Sequence, residues 1–346
     1  MSTLIILLDG AADEPITELG DQTPLQALDK RFIDAIASNG RFGCTEARGY
    51  THLFMLALMS GKDMNVPRGV IEALGYGVRL ERGEVAYRLS PASLEDHRIK
   101  WEYGLACEQD AKLRLMAKRS IESISSLSPR LQFYAQGKGI LTVRSAHVEE
   151  LPAPPAPVDL ERSDFGELDP FIKAMRSYNG RMVVLPWGGG SIDEGVDRTP
   201  LRSSEGLVFF SKSPSVTGVA ALFGLESHEV SNYHEGFKMA LSQLNKGNVF
   251  LHIEETDDIS HKRLPMKKVE MLEDIDAMLS SASKKLKGHQ IAFIVDHGTS
   301  SITGEHMVMK VPFALGEVRN GRPKRKFQET EEGDVPLVEL LDLLLG

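Results

Sequence analysis

Three short apolar runs in this 346-residue chain each end in side chains that bind cations, and that pattern limits the possible folds more than any other feature. Residues 4–8, all Leu or Ile, run into Asp9-Gly10. Phe250-Leu251-His252-Ile253 precedes Asp257-x3-His261. Residues 291–295 run directly into Asp296-His297, and His306 follows nine residues later. An apolar run of this length, bounded by turn residues, reads as a strand buried on both faces, the kind found in parallel sheets. In an open α/β sheet, ligands collect beyond the carboxyl ends of the strands, where these acids and imidazoles would emerge.

The rest of the chain keeps the same rhythm. Strand-like runs at 4–8, 182–185, 206–210, 248–253, 291–295 and 307–315 alternate with helical patterns near 24–39, 51–60, 111–127, 168–177, 217–223, 233–244 and 266–286. This alternation predicts an α/β fold with a mostly parallel sheet between helical layers. The stretch 86–180 breaks the pattern with a charged helix, a strand-like 139–144 and the proline-dense 152–157, which favours extended polyproline II. It is expected to be a smaller α+β lid domain inserted into a core formed by 1–85 and 181–346. A single domain with a long decorated crossover is the alternative.

Composition excludes several classes. The net charge of −9 argues against a nucleic-acid partner, which selects a basic face. The basic tract Arg319, Arg322, Lys324, Arg325 and Lys326 reads as a solvated loop. No apolar run approaches the roughly 20 residues needed to span a bilayer. Two cysteines, Cys44 and Cys107, offer no disulfide framework, so a cytoplasmic location is expected.

Carboxylates suit hard divalent cations, and imidazoles extend the set to borderline ones. Asp9, Asp257, His261, Asp296, His297 and His306 are therefore candidate ligands for two cations, Mn²⁺ first, with Zn²⁺ or Mg²⁺ as alternatives. Asp257 and His261 stand four apart, on one side of a helical turn. Paired cations clamp the attacking and leaving oxygens of a displacement at phosphorus. The nucleophile is expected to be Thr51, which opens the apolar helical run 51–60, where the helix dipole favours negative charge. An ordinary N-cap is the plain alternative for Thr51.

Together these residues resemble the archaeal-type branch of the cofactor-independent phosphoglycerate mutases, within the alkaline phosphatase superfamily. The resemblance runs end to end. It is carried by Leu8-Asp9-Gly10, Glu14-Pro15, Glu18-Leu19-Gly20 and Thr23-Pro24-Leu25 at the start. Arg68-Gly69, 72–78 and 83–88 follow, then Thr256-Asp257-x3-His261, Lys268 with Glu273 and Asp276, and Asp296-His297-x8-His306 with Val311-Pro312. It implies an alkaline-phosphatase-like core in which one cation is held by Asp257, His261 and His306. The other is held by Asp9, Asp296, His297 and the nucleophile. It also implies transfer of a phosphoryl group between two hydroxyls of glycerate through a phospho-enzyme, with Arg68, Arg88 and Lys268 as contacts to a small phosphorylated substrate.

Three departures accompany it. Thr51 stands where the family has a serine in a Gly-Ser-Asp context. Trp187-Gly188-Gly189-Gly190 lacks the arginine of the family's Arg-Gly-Ala-Gly loop. Gln136-Gly137-Lys138-Gly139 replaces its His-Arg, and its arginine-rich motif after Arg88 is only faintly echoed by His97-Arg98. A phosphatase or phosphodiesterase with the same cation site is the second expectation, and a paralogue without activity the third.

Overall fold

In the computed structural model, residues 1–95, 98–149, 151, 160–161, 165–192, 196–319 and 322–346 are described. The chain divides into two compact units, 1–65 with 198–346, and 66–197.

The first unit is built on a seven-stranded sheet. Its strands in chain order are β1 (Thr3–Leu8), β2 (Arg41–Glu46), β3 (Val208–Ser211), β4 (Ser227–Glu229), β5 (Val249–Ile253), β6 (Gln290–Ile294) and β7 (Lys310–Glu317). The spatial order is β4-β3-β5-β1-β6-β7-β2. The pairs from β4 through β6 are parallel, whereas β7 runs antiparallel to both β6 and β2. Every residue of β1 and β5 is buried. Because successive side chains point to opposite faces, both faces must be covered, which is why these strands read as continuous apolar runs. The expected mostly parallel α/β sheet is what forms. Three helices matter for the site: α1 (Thr51–Ser60), α2 (Glu255–His261) and α3 (Pro265–Ser281). Helix α1 is apolar nearly all round and correspondingly buried.

The second unit is antiparallel. Its sheet orders Arg130–Ala135, Lys138–Arg144, Glu84–Glu95, Arg98–Trp101 and Leu160–Glu161, and Met182–Gly190 also pairs with Glu84–Glu95. Leu89, Trp101, Phe165, Phe171 and Trp187 are among its core residues. Two sequence expectations change here. The unit begins at 66 rather than 86, because the helix Arg68–Gly75 packs on the strands Glu84–Glu95 and Met182–Gly190. The run 182–185 belongs to this sheet, in register with Ala92 and its neighbours, and not to the parallel one. His97 and the proline-rich 152–157 lie outside the described residues.

Candidate metal centre

Strands β5, β1 and β6 are adjacent and parallel, so their carboxyl ends deliver three chain segments to one place. Asp9 follows β1 and extends its ladder by one bond, its amide donating to Ile253 O at 3.0 Å. Helix α2 follows β5 and sets Asp257 and His261 one turn apart, with His261 Nε2 3.0 Å from Asp257 Oδ2. Asp296 and His297 follow β6. The amides of Gly10 and His297 both donate to Asp296 Oδ1, at 3.1 and 3.0 Å, which fixes that carboxylate. A short antiparallel pair, Gly298–Thr299 with His306–Met307, folds the chain back and lays the His306 ring on that of His297, centroids 4.1 Å apart.

All six expected ligands come together, in the two threes that the family resemblance implies. Asp257, His261 and His306 form one group, Asp9, Asp296 and His297 the other, and within each the ligand atoms lie within 4.8 Å of one another. Thr299 joins them, its hydroxyl donating to Asp257 Oδ1 at 2.7 Å and lying 3.1 Å from His297 Nδ1.

The donor set fits divalent cations on two further grounds. Each ligand imidazole is held through Nδ1: His261 on Gly304 O at 2.8 Å, His306 on Gly49 O at 2.5 Å, and His297 near Gly298 O at 3.3 Å. Anchoring one ring nitrogen on a carbonyl orients the other for a metal. Moreover Asp296 Oδ2, His297 Nε2 and His306 Nε2 are buried and find no hydrogen-bond partner among the described residues. His297 Nε2 approaches Asp9 Oδ1 at 3.1 Å and Asp296 Oδ2 at 3.4 Å without satisfying either. A buried polar atom left unpaired is costly, and one cation in each group would satisfy all three.

The electrostatics agree. Burial, and then the neighbouring Asp9 carboxylate, push Asp296 up to about 7. Burial opposes charge on His297, but Asp296 and the other acids outweigh it and raise the ring to about 10. Burial and the His297 charge push His306 down to about 4. Burial and Asp257 press Asp9 upward, yet His252 and His297 hold it below the usual carboxylate range. These opposed shifts mark a cluster whose acids and imidazoles compete for too few protons, a competition that positive ions would relieve.

Thr51 is the first helical residue of α1 and not its cap, since Tyr50 occupies that position. It is buried, and its hydroxyl lies 3.3 and 3.4 Å from the two oxygens of Asp9.

The three expected substrate contacts are placed differently. Lys268 of α3 is fully buried and donates to Asp13 Oδ2 at 2.9 Å, Thr299 O at 3.0 Å and Ala12 O at 3.3 Å. An ammonium has three donors, and all three are engaged inside the protein. In the second unit, Arg68 and Arg88 both pair with the buried Glu72, Arg68 Nε at 2.5 Å from Oε1, and Tyr134 donates to the same carboxylate. Burial would raise Glu72, but the two guanidiniums, Arg88 first, hold it well below the usual carboxylate range.

Sequence reasoning missed His252, Asp13, Thr299 and Glu72. The sequence did carry a signal for His252. A histidine inside the fully apolar run 249–253 must be buried, and a buried imidazole needs partners.

Gly10 is the residue that lets the two groups approach. It sits at φ +59°, and a Cβ there would stand 2.5 Å from Asp257 Oδ1 and 2.6 Å from Thr299 Oγ1. Gly10→Ala is therefore expected to cost about 1–2 kcal/mol for the left-handed backbone alone, and to displace Asp257. Mn²⁺ calorimetry on the folded variant should find the Asp257 group weakened at least about tenfold, the lower end for disturbed ligand support. Unchanged binding would contradict this placement.

Comparison with known proteins is consistent with this geometry. Residues 209–341 match the family model described as Metalloenzyme superfamily, a span containing five of the six grouped residues. The probable 2,3-bisphosphoglycerate-independent phosphoglycerate mutase of Geobacter sulfurreducens is 27% identical, over 91% of this chain and 90% of its own. The 2,3-bisphosphoglycerate-independent phosphoglycerate mutase of Methanosarcina acetivorans is 25% identical over 99% and 98%. The solved cofactor-independent phosphoglycerate mutase of Thermoplasma acidophilum superposes with a TM-score of 0.58 at 20% identity, over 99% of each chain. Residues 209–341 thus match the Metalloenzyme superfamily model, along nearly its whole length the chain is similar in sequence to proteins named 2,3-bisphosphoglycerate-independent phosphoglycerate mutase, and it shares the fold of the Thermoplasma acidophilum structure.

Proposed function

We propose that this chain is a divalent-cation-dependent phosphomutase, an isomerase that interconverts 3-phosphoglycerate and 2-phosphoglycerate in the cytoplasm through a phosphothreonine at Thr51. The observation that carries the reading is the Thr51 hydroxyl beside Asp9, at the edge of two three-residue cation groups. Asp257, His261 and His306 would hold one cation, and Asp9, Asp296 and His297 the other. Bound cations, Mn²⁺ foremost, would supply Lewis-acid stabilisation of phosphoryl oxygens and lower the pKa of the attacking hydroxyl.

The protein's own atoms do the rest. Thr51 Oγ attacks phosphorus, forming the Oγ–P bond as the bond to the substrate oxygen breaks, and the Thr51 proton ends on the departing hydroxyl. The second hydroxyl of the same glycerate then attacks phosphorus and breaks the Oγ–P bond, and its proton returns to Thr51. The net result moves the phosphoryl group and consumes no water. The lid role expected of the inserted domain belongs to this proposal, because the intermediate must be kept dry. One observation favours hydrolysis as a second reading: Arg68 and Arg88, expected on the substrate, are instead paired with Glu72.

Product analysis separates the two. The protein, stripped with chelator and reloaded with Mn²⁺, is supplied with 3-phosphoglycerate. A mutase yields 2-phosphoglycerate with organic phosphate conserved, and the stripped protein should be at least about 10³-fold slower, a loss of several kcal/mol of charge stabilisation. Release of inorganic phosphate in proportion to turnover would favour the hydrolase. Equal activity with and without cation would end both readings.

A further inference from the structure

His252 lies behind the Asp9 group and has no role in the reaction as written above. It is 2% exposed, the fourth of the five residues of β5, among otherwise apolar side chains. Its two ring nitrogens are both used. Nε2 is 2.9 Å from Asp9 Oδ2, and Nδ1 is 2.8 Å from Ser211 Oγ at the end of β3. Ser211 Oγ in turn accepts from the Ser213 amide at 2.9 Å. The Asp9 carboxylate can only accept, so Nε2–H donates to Asp9 Oδ2. In the neutral ring Nδ1 is then an acceptor for the Ser211 hydroxyl, whose oxygen also accepts from the Ser213 amide. The carboxylate is thereby held by one oxygen. Its other oxygen, Oδ1, is the one 3.1 Å from His297 Nε2, and the Thr51 hydroxyl lies 3.3 Å from Oδ1 and 3.4 Å from Oδ2.

We infer that His252 is a positioning residue which, steered by Ser211 and holding Asp9 by Oδ2, presents Asp9 Oδ1 to the cation of the Asp9, Asp296 and His297 group. The inference rests on the proposed cation binding and deepens it. Such an outer partner of a ligand carboxylate typically governs metal affinity by about 10–100-fold. The effect is expected on one of the two groups, because His252 bonds Asp9 and makes no hydrogen bond or ion pair with Asp257, His261 or His306 among the described residues.

The test is Mn²⁺ titration of the whole protein by calorimetry, with no substrate. Wild type should show two classes of site. His252→Asn places an amide near the Nδ1 position, loses the bond to Asp9, and should weaken one class by about 10–100-fold while the other holds. His252→Gln reaches the Nε2 position and should recover most of the loss, which a purely packing role would not give. Ser211→Ala keeps the ring and should weaken the same class to a lesser degree, so the inference stays testable if His252→Asn does not fold. On an Asp9→Asn background, His252→Asn should add little. Equal weakening of both classes, or none with His252→Asn folded, overturns the inference. Wild type binding no Mn²⁺ overturns the cation reading beneath it.

Discussion

Thr51→Val is expected to fold, to retain Mn²⁺ through the Asp and His residues of the two groups, and to lose phosphoryl transfer by about 10⁴-fold or more, the scale set by deleting a covalent nucleophile. The substitution is nearly isosteric and keeps the β-branched shape, so α1 keeps its first residue and its packing. What disappears is a hydroxyl whose only contacts among the described residues are those with the Asp9 oxygens, at 3.3 and 3.4 Å. Bonds that long stabilise the fold by little, on the order of 1 kcal/mol or less. Thr51→Ser restores the hydroxyl and should restore turnover. Acid quenching of wild type during turnover should trap one phosphoryl group on the peptide carrying Thr51, as phosphothreonine. A Thr51→Val protein that still turns over 3-phosphoglycerate, or a trapped phosphate on another residue, would remove Thr51 from the mechanism.

The sequence made the cation groups legible because their residues sit at the ends of short apolar runs, and strand ends are where an α/β sheet places its ligands. What it could not show was pairing across distance. His252 and Asp9 are 243 residues apart, and nothing local to either names the other. Direction and sheet membership were hidden for a related reason. Residues 182–185 and 291–295 look alike as apolar runs, yet the first lies in an antiparallel sheet of the second unit and the second in a strand of the first unit that pairs parallel with β1 and antiparallel with β7. An apolar run reports burial on both faces and says nothing of what it pairs with. Strand β2 gave no signal because only its three middle residues are buried and its ends are Arg41 and Glu46. Lys268 was legible as a residue of consequence, expected on the substrate, whereas its ammonium here bonds Asp13, Thr299 O and Ala12 O.

That orientation makes a prediction opposite to the one a substrate contact would make. If Lys268 bound substrate, Lys268→Met would raise KM and leave the fold unchanged. In the structure its ammonium and the Asp13 carboxylate are both fully buried, 2.9 Å apart. Asp13 also accepts from Ser301 Oγ at 2.7 Å and from the Ser301 amide at 3.1 and 3.2 Å. The ion pair therefore clips the loop after β1, which carries Asp9 and Gly10, to the loop after β6, which carries His297 and Thr299. Burial pushes Lys268 down from its ordinary value and Asp13 opposes it. Removing the cation leaves a carboxylate in the interior without its counter-charge, which typically costs about 3–5 kcal/mol. Scanning calorimetry of Lys268→Met should show a midpoint lower by on the order of 10 °C. Because a buried pair can be replaced more cheaply than it can be broken, Lys268→Met with Asp13→Asn should regain part of that loss. A single mutant with wild-type stability and a raised KM would return Lys268 to the substrate.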